Sequence, residues 1–204
     1  MFAQSFCDYS CELVVILAGI LHSFLNAYVE RCRQILAKTL SDVNAQSTTR
    51  VVIIRHGEAE PAFSNDRARA LTERGRQQVT TAMREIETHM SGTGAFDLAL
   101  ISPYRRTQQT YDILTVGLRV KRKIDCEQVT PMNSAKEAQW IVAGASDTCR
   151  SILVVSHMPL VSFLTAELCN LSSPPLFATS AFAVIDLVKA NGIGQLITLN
   201  QQHD

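Results

Sequence analysis

Hydrophobic positions along the chain fall into two rhythms. Short unbroken apolar runs at residues 51–54, 98–101 and 152–155 are the pattern of strands covered on both faces. Between them, apolar residues recur at helical spacing. Val79, Met83, Ile86 and Met90 share one face of a helix that Thr72 can cap and that runs to about residue 90. Further helices are predicted from about residue 105 to 118, from 134 to 143, and from Pro159, a residue suited to a first helical turn, to Cys169. Residues 182–187 and 194–199 read as a hairpin turned at NGIG on the edge of the sheet. Strands alternating with helices predict an α/β fold, a three-layer α/β/α sandwich around a mainly parallel central sheet.

The first part of the chain has neither rhythm. Residues 13–29, LVVILAGILHSFLNAYV, form an apolar stretch broken by His22, Ser23 and Asn26, near the lower length limit for crossing a bilayer. Asp8 and Glu12 precede it, while Arg31, Arg33 and Lys38 come after it, the reverse of a secretory signal. As a membrane anchor, a segment of this polarity would keep the C-terminal domain in the cytoplasm. The competing readings are an amphipathic helix packed on the domain and an upstream extension that is not normally translated. The polar stretch SDVNAQSTTR, residues 41–50, reads as a linker, so an N-terminal extension over 1–48 and a folded domain over 49–204 are expected.

Composition narrows the chemistry. A chain of 204 residues with 47% hydrophobic content can bury one sizeable core. Lysine plus arginine equals aspartate plus glutamate at 19 each, so no global field favours nucleic acid or anionic lipid, and any use of positive charge is local. Cys7, Cys11, Cys32, Cys126, Cys149 and Cys169 include no CxxC pair and no histidine at ligand spacing. They read as reduced thiols of a cytoplasmic protein, with no metal and no cofactor expected.

Each continuous strand ends in polar residues of one kind. The first leads to Arg55, His56 and Gly57; the second to Ser102, Pro103 and, shortly after, Arg106; the third to Ser156 and His157. In a parallel sheet these ends lie on one edge, where ligands of open α/β folds bind. Two guanidiniums and two imidazoles converging without a carboxylate cluster make a site for a compact anion such as phosphate. Ser156 also reads as a cap for the helix after it.

In RHGEA at 55, LTERG at 71, SPYRRTQQT at 102 and VVSHMPLVSFLTAELC at 154, the chain resembles the histidine phosphatase superfamily, and within it the small SixA-type phosphohistidine phosphatases. The likeness covers about residues 50–190. It implies a phosphoglycerate mutase-like catalytic domain over 49–204 and a metal-independent phosphatase. His56 would attack phosphorus through Nε2 to form a phosphohistidine intermediate, which requires Nδ1 to give its proton to a nearby backbone carbonyl. Arg55 and Arg106 would clamp the equatorial oxygens, His157 would donate to the transferring group, and Ser102, Gly57 and Glu58 would complete the substrate site.

Two features bear on the substrate. The connections between motifs leave little room for insertions over the pocket, so a phosphorylated side chain on a protein surface could enter. Relatives acting on phosphate esters usually carry a general-acid glutamate between the second and third motifs, whereas here Pro131 stands near that position and Glu127 is the nearest carboxylate. Phosphohistidine on a phosphotransfer domain or phosphocarrier protein is therefore the expected substrate. The alternatives are a small-molecule phosphomonoesterase and a non-catalytic phosphohistidine-binding or membrane-anchored regulatory protein.

Overall fold

The computed structural model describes residues 26–37, 48–61, 65–90 and 95–201. The chain divides into two compact units, residues 1–45 and 46–204. In the first, residues 26–37 form helix α1, with Arg33 3.4 Å from Glu30 one turn back. The apolar segment 13–29 lies mostly outside the described residues, as do residues 41–47 of the expected linker, whereas Thr48, Thr49 and Arg50, read as its end, are strand residues paired in the sheet. Among the described residues no helix is long and apolar enough to cross a membrane.

The second unit is built on a six-stranded sheet, from β1 (Thr48–Arg55), β3 (Leu98–Ile101), β5 (Lys123–Asp125), β6 (Ser151–Ser156), β7 (Phe182–Val188) and β8 (Gly194–Asn200). Their order is β5-β3-β6-β1-β7-β8. Strands β5, β3, β6 and β1 run parallel, and β7 and β8 are antiparallel, so the sheet is mainly parallel with a hairpin on one edge. Gly192 turns that hairpin at φ 67°, a left-handed conformation glycine adopts without steric cost.

Helices α2 (Glu73–His89) and α3 (Arg105–Leu114) cover one face, and α4 (Ala135–Ser146) and α5 (Leu160–Cys169) cover the other. The unbroken apolar runs result from this sandwich. Along β1, Val51 and Ile53 enter the core under α4 and α5, while Val52 and Ile54 enter the core under α2 and α3. The same alternation holds on β3 and β6, where Leu100 and Val154 face one way and Ile101 and Val155 the other. All four β1 side chains are fully buried, each stabilising the fold by roughly 1.5–3 kcal/mol.

Three elements escaped the pattern. Strands β2 (Ala95–Phe96) and β4 (Arg119–Val120) form a separate two-stranded parallel ribbon, and β5 is three exposed residues at the sheet edge. Strands so short carry no apolar run to detect. Helix α3 stops at Leu114, short of the predicted residue 118, and the turn after it brings Gly117 close to α2, where a Cβ would lie 2.9 Å from Met83 Sδ.

The start of α2 is the tightest junction near the sheet's carboxyl edge. Thr72 Oγ1 accepts from the Gly75 amide at 3.0 Å, as expected of a cap, and donates to Glu58 Oε1 at 2.8 Å. The helix rests so closely on the loop after β1 that a Cβ on Gly75 would sit 2.0 Å from the Glu58 carbonyl oxygen. A Cβ on Gly57 would meet the Gly75 carbonyl oxygen at 2.5 Å. Both obstacles are backbone, which cannot swing aside. Gly75→Ala is therefore expected to lower stability by about 1–3 kcal/mol, measured as a lower urea midpoint at unchanged slope; an unchanged midpoint would contradict this packing.

Candidate active site

The parallel neighbours β3, β6 and β1 end together, and their last residues are tied through backbone bonds. His56 donates its amide to the Ser156 carbonyl at 3.0 Å, and Ser102 donates its amide to the Val155 carbonyl at 3.1 Å. The segment before β7 closes the other side: the Arg55 amide donates to the Ala181 carbonyl at 3.0 Å, and the Ser180 amide to the His56 carbonyl at 3.1 Å. Ser180 reaches that position with φ 60°, an uncommon left-handed conformation for a residue with a side chain.

His56 is buried, and both its ring nitrogens are engaged. Nδ1 lies 2.7 Å from the Gly57 carbonyl oxygen, which can only accept, so Nδ1 carries the proton. Nε2 then has a lone pair, and the Arg106 Nε–H donates to it at 3.1 Å. Burial, helped by the charges of Arg106, Arg55 and Arg69 and opposed by the Gly57 carbonyl, pushes the His56 pKa down to about 3. The ring is neutral at physiological pH, with Nε2 available as a nucleophile.

The other three strand-end groups gather round it. His157 packs edge-on against His56 with ring centroids 5.0 Å apart, and against Tyr104 at 4.8 Å. Its Nε2 lies 2.7 Å from Ser102 Oγ, while its Nδ1 is buried without a protein partner. Burial first, then His56, Arg106 and Arg55, push its pKa down to about 2. Arg55 donates through Nη1 to the Phe177 carbonyl at 2.7 Å, and its buried Nε has no partner. Arg106, in the first turn of α3, points inward and is buried, whereas its neighbour Arg105 is exposed. An unpartnered buried Arg55 N–H, with the Arg106 guanidinium beside it, suits an incoming anion rather than a cation. Among the described residues, no group of three or more metal-ligating side chains gathers anywhere.

Other predicted residues serve the frame. Gly57 contributes its carbonyl to His56 and its amide to Thr110 Oγ1 at 3.3 Å. Glu58 turns its carboxylate to Thr72 and, at 3.7 Å, to Arg74, so it braces the start of α2. Glu127 is held by Arg67 Nη2 at 2.7 and 2.9 Å. Ser156 Oγ donates to the Val129 carbonyl at 2.6 Å and does not cap α5.

Two residues at the site had no sequence signal that singled them out. Asp66 and Arg69 lie in and just after a single-turn 3-10 helix (Asp66–Ala68), in the connection between β1 and α2. Arg106 donates through Nη1 to the Asp66 carbonyl oxygen at 2.6 Å and through Nη2 to Asp66 Oδ2 at 3.1 Å. Arg69 donates to Asp66 Oδ1 at 2.9 Å. Its charge helps hold both histidines neutral. Both residues stand in the loop stretch NDRARALT, where charged residues ordinarily mean only a solvated surface.

A parallel-edge pocket of two arginines and two histidines on this sandwich defines a phosphoryl-handling site, and the known proteins that resemble the chain agree. Residues 51–127 match the family profile of the histidine phosphatase superfamily (branch 1). The chain is 32% identical over 139 residues to a phosphohistidine phosphatase SixA homolog of Haemophilus influenzae, covering 65% of this chain and 85% of the relative. It is 31% identical over 140 residues to phosphohistidine phosphatase SixA of Escherichia coli, covering 67% and 84%. Its fold matches the structure of the protein histidine phosphatase SixA complexed with tungstate at a TM-score of 0.69 and 28% identity, covering 75% of this chain and 97% of that one. The chain belongs to the histidine phosphatase superfamily.

The neutral histidines make stability depend on pH with a defined sign. The unfolded chain protonates them near pH 6.5, the folded chain only at about 3 and about 2. Their contribution is complete above about pH 6.5 and is lost as pH falls through that window, by up to roughly 1.4 kcal/mol per pH unit for each ring. Unfolding in urea between pH 7.5 and 5 should show stability falling with acidification, with a shallower fall in His157→Asn; equal slopes in the two proteins would contradict a neutral buried His157.

Proposed function

We propose that this chain is a protein phosphohistidine phosphatase that works through a phosphorylated His56. The observation that carries this reading is the state of the His56 ring, with Nδ1–H on the Gly57 carbonyl and the Nε2 lone pair facing the Arg106 guanidinium. The Nε2 lone pair forms the new bond to phosphorus as the substrate's phosphorus–nitrogen bond breaks. The bonding electrons leave with the substrate imidazole, which takes up a proton. Water then attacks the phosphorus of phospho-His56 as the phosphorus–Nε2 bond breaks; that electron pair returns to Nε2, the water's proton passes to solvent, and the neutral ring and inorganic phosphate result. Arg55 and Arg106 neutralise the equatorial oxygens during both steps. His157, neutral without an anion, gains a reason to protonate when a phosphoryl dianion arrives, and its buried Nδ1 then has an acceptor.

The choice of a phosphorus–nitrogen bond rests on how the carboxylates described near the pocket are engaged. Expelling an alkoxide without a proton donor forfeits roughly 10²- to 10⁴-fold in rate, whereas imidazole leaves without a dedicated acid. Neither acidic candidate is free for that role: Glu58 is committed to Thr72, and Glu127 is paired with Arg67. Between Arg106 and His157 the chain is largely taken up by α3, β4, β5, a one-turn helix, α4 and β6, which leaves little length for an insertion over the pocket. The likeness to proteins named phosphohistidine phosphatase SixA supports the same substrate class. The partner we infer is a phosphohistidine-bearing protein, a phosphotransfer domain of a His-Asp relay or a phosphocarrier, met in the cytoplasm; the catalytic domain, expected from residue 49, begins no later than Thr48, the first residue of β1.

Three measurements test it. Turnover of a phosphohistidine protein should exceed that of simple phosphate esters at equal concentration, and faster ester turnover would move the assignment to a phosphomonoesterase. His56→Ala should lose on the order of 10⁴-fold or more in turnover, together with the acid-labile, base-stable phosphate trapped on the parent chain. Glu127→Gln should change phosphohistidine turnover less than about tenfold, against the larger loss expected on removing a general acid.

A further inference from the structure

Arg106 occupies its place with every one of its nitrogens engaged, and the partners are divided by direction. A guanidinium presents its N–H groups in a rigid planar fork, one pair from Nη1 and Nη2, another from Nε and Nη2. The Nη1 and Nη2 pair faces Asp66, bonding its main-chain carbonyl at 2.6 Å and its carboxylate at 3.1 Å. The Nε side faces His56 Nε2 at 3.1 Å. The Tyr104 ring lies against the guanidinium, 4.9 Å from centroid to carbon, which limits motion out of the plane.

Asp66 is itself held on several sides. Arg69 takes Oδ1 at 2.9 Å, leaving Oδ2 for Arg106. Asn65 Oδ1 accepts from the Arg67 amide at 3.1 Å and turns the backbone into the 3-10 helix. The two bonds from Arg67 to Glu127 fasten that helix to the segment after β5. A loop pinned in this way sets the position of the carboxylate that meets Arg106.

We propose that Asp66 is a positioning residue for phosphoryl transfer: by holding the outer edge of the Arg106 guanidinium, it aims the inner edge at the group that His56 attacks. This rests on the reading of the pocket as a phosphoryl site. Asp66 touches neither His56 nor the reacting group in this arrangement, so it acts through Arg106. Such a role carries a signature that a role in folding alone does not. Removing the carboxylate takes one negative charge from a site already holding Arg55, Arg69 and Arg106, so the Coulomb attraction for an anion does not fall. Orientation falls instead, and orientation governs the chemical step more than binding.

Asp66→Asn keeps the size and the main-chain carbonyl while losing the charged partner of Nη2. Its kcat on a phosphohistidine protein should fall roughly 10- to 100-fold, while KM and the Kd for vanadate stay within about threefold of the parent or tighten. Asp66→Glu, which keeps the charge on a longer arm, should recover part of the lost kcat. The inference is overturned if Asp66→Asn retains the parent kcat, or if KM and vanadate affinity weaken in proportion to kcat. Vanadate binding by the parent protein separates the two layers of argument. A parent that binds no vanadate and turns over no phosphohistidine refutes the phosphatase reading, whereas a parent that does both beside an unimpaired Asp66→Asn refutes only the role of Asp66.

Discussion

The bond from His56 Nδ1 to the Gly57 carbonyl oxygen decides which ring nitrogen is left with a lone pair, and much of the surrounding structure serves to keep that bond in place. A carbonyl adjacent in sequence can meet the ring only if the backbone after β1 turns in one particular way. That turn is enforced from outside by the first residues of α2, which press on Gly57 and Glu58 so closely that neither Gly57 nor Gly75 has room for a side chain. Thr72 ties the same junction by capping α2 and bonding Glu58. The glycine in RHG and the glycine in LTERG are thus two halves of one contact. A strand buried on both faces gives this junction a rigid base, since Val51 to Ile54 cannot shift without disturbing two cores.

Electrostatics complete what the backbone begins. A chain with equal numbers of acidic and basic residues concentrates three guanidiniums, from Arg55, Arg69 and Arg106, around two buried imidazoles. Burial is the larger cause of the low histidine pKa values, and the arginines add to it. An unprotonated nucleophile in a cationic site combines two requirements that oppose each other in water, where a histidine near neutral pH is partly charged and phosphate is strongly solvated. Burial removes the water, and the guanidiniums supply the compensation that the anion then lacks.

How much of this was legible in the sequence depended on whether a signal was periodic or anchored to a strand end. The unbroken runs marked β1, β3 and β6, and NGIG marked the edge hairpin, because burial on two faces and a glycine turn both leave traces in neighbouring residues. Arg55, His56, Arg106 and His157 were readable because each comes directly, or within a few residues, after an apolar run. Strands β2, β4 and β5 were not, since pairs and triplets at an edge need no hydrophobic pattern. Asp66 and Arg69 were missed for a different reason. They belong to an irregular connection whose path is fixed by long-range bonds to Arg106 and Glu127, and nothing local in NDRARALT records those partners. Side-chain direction was equally hidden: Glu58, expected at the substrate site, turns its carboxylate to Thr72, and Ser156, expected to cap the next helix, bonds the Val129 carbonyl instead.

The same contrast bears on substrate choice. Residues that hold the phosphoryl group answer to the geometry of phosphorus, which is alike for esters and phosphoramidates, so the four strand-end groups alone cannot separate the two. Discrimination has to come from the leaving group and from access. Here the carboxylates near the pocket are spent on arginines and on a helix cap: Asp66 on Arg106 and Arg69, Glu127 on Arg67, Glu58 on Thr72. A carboxylate paired with a guanidinium is held in its charged form and has no proton to give, and the lowered pKa of Asp66, caused first by its bond to Arg69, has that consequence. A site whose described carboxylates are already engaged by other side chains favours a substrate whose leaving group departs unaided, and phosphoimidazole meets that condition where an alkyl ester does not.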